Sequence, residues 1–335
     1  EGVERETGVA VVGAIPEEKQ FTAERRLIPV DGGNSANSEN IKFFAVAEAM
    51  RELRTNLQFM SVDNPPRIIV VSSPLPGDGK STTAANLAIT LAASGQRTIL
   101  IDGDLRRPMV SNIFKLGDGP GLTDVLAGRV EIADVALPYT QSPNLLVVRA
   151  GKVPPNPSEL LGSERMQSLL DMLGQRALVI IDAPPLLAVT DGAILANRAD
   201  GAFIVSTVGK TTFEMLKKAL VNLERANAKP LGIVLNRVPR KGAGAAYYGY
   251  QYHGNYYREP DTDLKNGDGV QAQHRTVEGS TTTVNRQRDV APGERNPTAR
   301  AEQPTRNRIA ESIRSRPETP FPSTRRRDRR NASGD

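Results

Sequence analysis

RIIVVSSPLPGDGKSTTAANLAITLAASG, residues 67–95, is the stretch whose reading decides the fold. Its start, RIIVVSS (67–73), is a short apolar run bounded by Pro65-Pro66 and Pro74, the pattern of a buried strand. Its end, TTAANLAITLAASG (82–95), sets Ala84, Leu87, Ala88 and Leu91 at helical spacing and stops at Gly95. Between them lies PLPGDGKST (74–82). A glycine-rich turn in that position can face its backbone N–H groups inward around phosphate oxygens, and the helix N-terminus adds partial positive charge. Gly77 and Gly79 allow the close approach, Lys80 can reach the β- and γ-phosphates, and Ser81 can ligate Mg²⁺. Pro76, Asp78 and Thr82 complete the candidate nucleotide-binding loop. Pro74 stands where the usual pattern has glycine. A mere glycine turn capped by Ser81 is the bland alternative, but strand before and helix after argue against it. Lys80 is expected on a solvent-facing loop, replaceable without loss of the fold.

Further along, strands are expected at TILID (98–102), NLLVV (144–148), ALVIID (177–182), GAFIVST (201–207) and LGIVLN (231–236). Helices are expected from Ser158 through Leu173 and over 212–227. This alternation implies an α/β fold of the P-loop NTPase type, a mostly parallel sheet with helices on both faces and ligands at the strands' carboxyl ends. Two carboxylate motifs sit at such ends. In TILIDGDLRRP (98–108), Asp102 and Asp104 share one side of an extended backbone. Like charges so placed need a cation or a shared proton. Arg106 and Arg107 are one candidate cation source, in a plain salt-bridged loop, and a metal is the other. In ALVIIDAPP (177–185), an apolar strand delivers Asp182, as P-loop proteins do for their Mg²⁺ shell.

Composition narrows the chemistry. There is no cysteine, so disulfide and thiolate chemistry are excluded. Both histidines, His253 and His274, lie outside the apolar-rich part, which leaves carboxylates, lysine, arginine and hydroxyls for catalysis. No run of eighteen apolar residues occurs, and the start at Glu1 suggests a piece of something longer. Residues 1–240 are charge-balanced, and the net +5 arises in 241–335. That tail, poor in Leu, Ile, Val and Phe, ends in RSRPETPFPSTRRRDRRNASGD. Segment 261–335 is read as disordered, because it cannot bury enough apolar area to offset the entropy of ordering. Its arginines are read as a solvated tail, with contact to an anionic membrane surface as the functional alternative and no nucleic acid expected.

Six of the seven tyrosines crowd into GAAYYGYQYHGNYYRE (244–259): Tyr247, Tyr248, Tyr250, Tyr252, Tyr256 and Tyr257. Interspersed glycines break a helix there, and no aliphatic residues accompany the rings. The deviant P-loop, Asp102-Gly-Asp104, Asp182-Ala-Pro-Pro and this cluster together resemble a bacterial tyrosine kinase of the capsular and exopolysaccharide type. ERETGVAVVGAIP (4–16), GLTDVLAG (121–128), NPSELLGSERM (156–166), APPLLAVTDG (183–192) and LGIVLNRV (231–238) extend the resemblance over roughly 1–257. Glu48, Arg51 and Arg54, within AEAMRELRTN, fit that family's E-x-x-R-x-x-R oligomerisation motif. On the same helix Ala47, Met50, Leu53 and Leu57 form an ordinary core stripe, which leaves the two arginines free to meet another subunit.

The resemblance implies an ATP- and Mg²⁺-dependent protein-tyrosine kinase whose cluster is phosphorylated by its neighbour in a homo-oligomeric ring, with other protein tyrosines as further substrates. A phenol with a pKa of about 10 needs help to attack at neutral pH. Asp104 is assigned as its base, and Asp102 and Asp182 go to the metal and its waters; Asp102 and Asp104 can exchange roles. Asn236 lies where Min-type ATPases contact adenine, and Arg106, Arg107 and Arg237 are candidates for lining the phosphate site. The implied organisation is a juxtamembrane and linker segment (1–40), a kinase domain (41–240), a flexible tyrosine cluster (241–260) and the tail (261–335). It sits at the cytoplasmic face of the membrane, behind a membrane-embedded chain-length or activator domain fused upstream, and regulates polysaccharide polymerisation and export. Two rivals share the fold: a partitioning or positioning ATPase switch, and a scaffold with a vestigial nucleotide site. The first typically carries a second lysine early in the loop and no tyrosine cluster; the second would not need Lys80, Ser81, Asp102, Asp104 and Asp182 together.

Overall fold

The computed structural model describes residues 2–22, 24–30, 38–61 and 64–240, all within one compact unit. In chain order its elements are α1 (Gly2–Thr7), β1 (Val11–Pro16), α2 (Ser38–Phe59), β2 (Ile68–Ser72), α3 (Lys80–Ala93) and β3 (Thr98–Asp102). Then come α4 (Val110–Phe114), α5 (Leu122–Leu126), α6 (Ile132–Val135), β4 (Ala136–Pro138), β5 (Leu145–Val148), α7 (Pro157–Leu161) and α8 (Glu164–Gly174). The last are β6 (Leu178–Asp182), α9 (Asp191–Asn197), β7 (Gly201–Thr207), α10 (Phe213–Arg225) and β8 (Pro230–Val238). The tyrosine cluster, both histidines and the tail lie outside the described residues.

The strands form one sheet in the order β1-β8-β7-β2-β6-β3-β5-β4, parallel throughout except where β4 runs against β5. Every residue of β2, β3, β5, β6 and β7 is buried. That is why they read as unbroken Val/Ile/Leu runs rather than alternating ones. Alternate residues still divide between faces. Ile69, Val71, Leu100, Ile180, Phe203 and Val205 join α2 and α3 in one core cluster, and α8 and α9 cover the opposite face. The expected α/β architecture holds. One expected helix does not: 158–173 is two helices, because Gly162 ends α7 and the Ser163 hydroxyl then accepts from the Met166 N–H to start α8. β1, at the sheet edge beside β8, is an element the sequence reading lacked.

α2 buries Ala47, Met50, Leu53 and Leu57, as its stripe predicts. Its Asn56 side chain donates to the Val12 carbonyl and ties the helix to β1. The segment after β1 crosses α3, where the buried Asn86 accepts from Ile28 N (2.8 Å) and donates to the Arg26 carbonyl (2.8 Å). A helix side chain here does for a loop what a neighbouring strand would do. Asn86→Ala leaves that donor and acceptor unpaired, at an expected cost of about 1–3 kcal/mol each. Chemical denaturation should register the loss, and hydrogen exchange should locate it at the Ile28 amide.

Candidate active site

Two neighbouring strands and one loop build the site. β2 lies beside β6, and β6 beside β3, with Asp102 directly opposite Asp182 in register. The phosphate loop leaves β2 at the same carboxyl edge. Gly103 N donates to the Asp182 carbonyl (2.8 Å), and a Cβ at Gly103 would come within 2.8 Å of Ile181 Cγ2. Only glycine lets the β3 loop lie this close to β6.

The loop is braced from within. The buried Asp78 carboxylate accepts from Leu75 N (3.0 Å) and the Thr211 hydroxyl (3.2 Å). Its carbonyl accepts from the Thr207 hydroxyl at the end of β7 and from Asn236 Nδ2 (2.9 Å) on β8. Lys210 Nζ donates to the Pro76 carbonyl (3.0 Å). Gly79 has φ 95°, and a Cβ there would sit 2.1 Å from Asn236 Nδ2. The Asn236 amide, expected at the adenine, is thus bonded to the loop backbone.

Lys80 opens α3, and it is not on an exposed loop: it is 7% exposed. Its Nζ donates to Asp104 Oδ2 (2.9 Å), Asp182 Oδ1 (3.3 Å) and Ser81 Oγ (3.3 Å). Lys80, rather than Arg106 or Arg107, supplies the cation that the paired aspartates need. Asp102 Oδ1 accepts from Asp104 N, and Oδ2 from Met109 N and Val110 N, so its oxygens fasten the backbone of the loop that carries Asp104. Burial, then the Asp182 carboxylate, push Asp102 up to about 8, against the N–H donor of Val110 and the charge of Lys80. Burial likewise raises Asp182, opposed by Lys80 and the Ser81 hydroxyl. The two aspartates raise Lys80 in turn, against its own burial.

A cavity of about 870 Å³ opens over this floor, within the range of small-molecule sites. Pro76, Gly77, Gly79, Lys80, Ser81, Thr82, Asp104 and Asn236 line it, together with Arg106, Arg107 and Arg237. Asp78, Asp102 and Asp182 stand behind its wall. Asp182 Oδ2 is buried with no hydrogen-bond partner among the described residues. An orphaned carboxylate oxygen near a serine hydroxyl suits a small hard cation that takes its other ligands from water and phosphate. The residues present therefore fit Mg²⁺, held by Asp182 and Ser81. Arg106 pairs with Asp191, a partner the sequence reading did not single out.

On α2, Arg51 pairs with Glu48 within the chain. Arg51 and Arg54 line a hollow of about 240 Å³ with Ile28, Thr90 and Ser94, and Arg54 Nε is buried without a partner among the described residues. The seventh tyrosine, Tyr139, packs edge-on against Phe114.

Fold and site together define a P-loop nucleotide-binding protein of the ParA class. Residues 64–239 match the ParA family, described as NUBPL iron-transfer P-loop NTPase. The chain is similar to the tyrosine-protein kinase YwqD of Bacillus subtilis, 39% identical over 228 residues that cover 68% of this chain and 91% of that one. It is 36% identical over 256 residues to the putative tyrosine-protein kinase EpsB of Ralstonia nicotianae, covering 75% of this chain but 34% of that longer one. Its fold is similar to the kinase domain of the Escherichia coli tyrosine kinase ETK, with TM-score 0.65, 31% identity and coverage of 72% and 95%. The chain belongs to the bacterial tyrosine-protein kinases.

The buried charges generate opposite predictions for two substitutions. The folded pKa of Asp102, about 8, exceeds its ordinary 3.8, so the stability it contributes is complete below about pH 4 and lost as pH rises through 8. Asp182→Asn keeps an acceptor for Lys80 and removes the carboxylate that raises Asp102. It should raise Tm at pH 8 by about 2–4 °C, roughly 1 kcal/mol in a domain of this size, and flatten the slope between pH 4 and 8. Lys80→Met strands the buried carboxylates and should destabilise by about 3–5 kcal/mol. Calorimetry across pH 4–9 checks both signs.

Proposed function

We propose that this chain transfers the γ-phosphoryl group of ATP to tyrosines 247, 248, 250, 252, 256 and 257 of a neighbouring copy. The observation that carries this reading is Lys80, bonded to both Asp104 and Asp182 at the floor of the cavity. One lysine there meets a carboxylate facing the cavity and a second fit for a metal. The tyrosine oxygen forms the new bond to the γ-phosphorus, and the bond to the β–γ bridging oxygen breaks, its electron pair leaving on ADP. Asp104 accepts the phenol proton, and Lys80 stabilises the charge spreading over the phosphoryl oxygens. Bound at Ser81 and Asp182, Mg²⁺ supplies neutralisation of the phosphate charge. Asp102 holds the Asp104 loop, and Asp78 and Asn236 hold the phosphate loop.

The copies associate in a ring through Glu48, Arg51 and Arg54 of α2. The chain works at the cytoplasmic face of the membrane, beside a membrane-embedded chain-length or activator domain, and regulates polysaccharide polymerisation and export. The Ralstonia relative extends well beyond the matched region, as a fused arrangement needs, whereas the Bacillus relative is matched over 91% of its length, as a separate chain would be. No helix among the described residues is long and apolar enough to cross a membrane. The domain organisation set out from the sequence, with the cluster after 240 and the basic tail beyond 260, belongs to the same proposal.

Incubation with Mg·ATP followed by phosphopeptide mapping tests the reaction. Phosphotyrosine should appear within 247–257, and Asp182→Asn, although stably folded, should yield none. Release of ADP without any phosphotyrosine would instead mark a nucleotide switch.

A further inference from the structure

Three motifs from distant parts of the chain meet at one point. Arg106 belongs to DGDLRRP after β3, Ser158 to NPSELLG at the start of α7, and Asp191 to AVTDG at the start of α9. Arg106 Nε donates to Asp191 Oδ2 (2.7 Å) and Nη2 to Asp191 Oδ1 (3.2 Å). Nη2 also donates to Ser158 Oγ (3.3 Å), whose hydroxyl donates to Asp191 Oδ1 (2.6 Å). The triangle is closed. Asp191 is fully buried, whereas the Arg106 side chain is 42% exposed and lines the same cavity as Lys80 and Asp104. Nη1 has no partner among the described residues, so one edge of the guanidinium is clamped and the other is available to the cavity.

An ordinary exposed ion pair joins two mobile side chains and contributes little to stability. Here the carboxylate is buried, and it is fixed by a second donor besides the arginine. Burying a carboxylate is costly, and its return is a guanidinium whose planar fork is immobilised before any ligand arrives. Donors fixed beforehand, where charge develops during a reaction, lower its barrier more than donors that must reorganise.

We propose that Arg106 is a further catalytic residue of the phosphoryl transfer, donating from its Nη1 edge to the phosphoryl oxygens, and that Asp191 and Ser158 are its positioning residues. This rests on the kinase reading above.

The test uses the 335-residue chain with Mg·ATP, reading phosphotyrosine formation as kcat and KM for ATP. Arg106→Ala and Arg106→Lys should each lower kcat by about 100-fold, the usual loss of one preorganised donor, with KM for ATP changed less than about threefold. Added guanidinium ion should restore part of the Arg106→Ala rate. Asp191→Asn should lower kcat, and in the double variant with Arg106→Ala should cost nothing further, since both act through one group. Ser158→Ala removes two hydrogen bonds and no charge, and should lose kcat several-fold even if Asp191→Asn fails to fold. Wild-type kcat in Arg106→Ala, multiplying losses in the double variant, or a loss confined to KM for ATP would overturn the assignment while leaving the kinase reading intact. Absence of phosphotyrosine from the wild type would instead overturn the kinase reading, and this inference with it.

Discussion

Everything at the carboxyl edge of the sheet is arranged around a shortage of positive charge. Lys80 stands buried against Asp104 and Asp182, with Asp102 behind them. A single ammonium cannot fully satisfy three carboxylates in so little water, and the imbalance appears in the raised Asp102 and Asp182 and in the orphaned oxygen of Asp182. The surrounding structure follows from containing it. Backbone N–H groups converge on Asp102, and Gly103 brings β3 close to β6. The deficit also suits the proposed ligand. A magnesium–nucleotide complex would offer a divalent cation to the orphaned oxygen and an anionic chain to the lysine, so the same imbalance that burdens the fold favours binding of such a ligand.

The parts of the fold that depend on continuous burial were legible in the sequence. TILID and GAFIVST are strands to the residue, because unbroken β-branched and apolar runs have one stable use in a domain of this kind. The core stripe of α2 was legible for the same reason. β1 was missed because Gly13 and Pro16 interrupt its short run; in the structure, Gly13 lies where a Cβ would come within 3.3 Å of Leu53. The split between α7 and α8 depends on one serine hydroxyl, a local cap that helical periodicity does not detect.

The site divides in the same way. Loop, lysine and carboxylates could be placed at strand ends from spacing alone, because the topology of a parallel sheet gathers such ends together. Which cation serves which carboxylate could not. Arg106 is adjacent in sequence to the aspartates it was expected to neutralise, yet its partner lies 85 residues away. The burial of Lys80 was equally hidden, since it is enclosed by two carboxylates from elsewhere in the sheet, one at the end of β6 and one in the loop after β3. Asn86 carried a weak signal, a lone amide in an apolar helix. Only the crossing of 26–28 gives that amide its purpose.

β8 runs between β1 and β7, parallel to both. The chain therefore enters β1 at one end of the sheet and leaves β8 at the other. A pull applied between those two points loads the hydrogen bonds of the β1–β8 ladder side by side, in shear, rather than opening them one after another. Arg240 and Val238 add further ties, to Glu18 and to the Glu17 N–H. The exit strand is also bonded through Asn236 to the phosphate loop. A pull on β8 is thus shared by three strands, β1 and β7 as well as β8 itself.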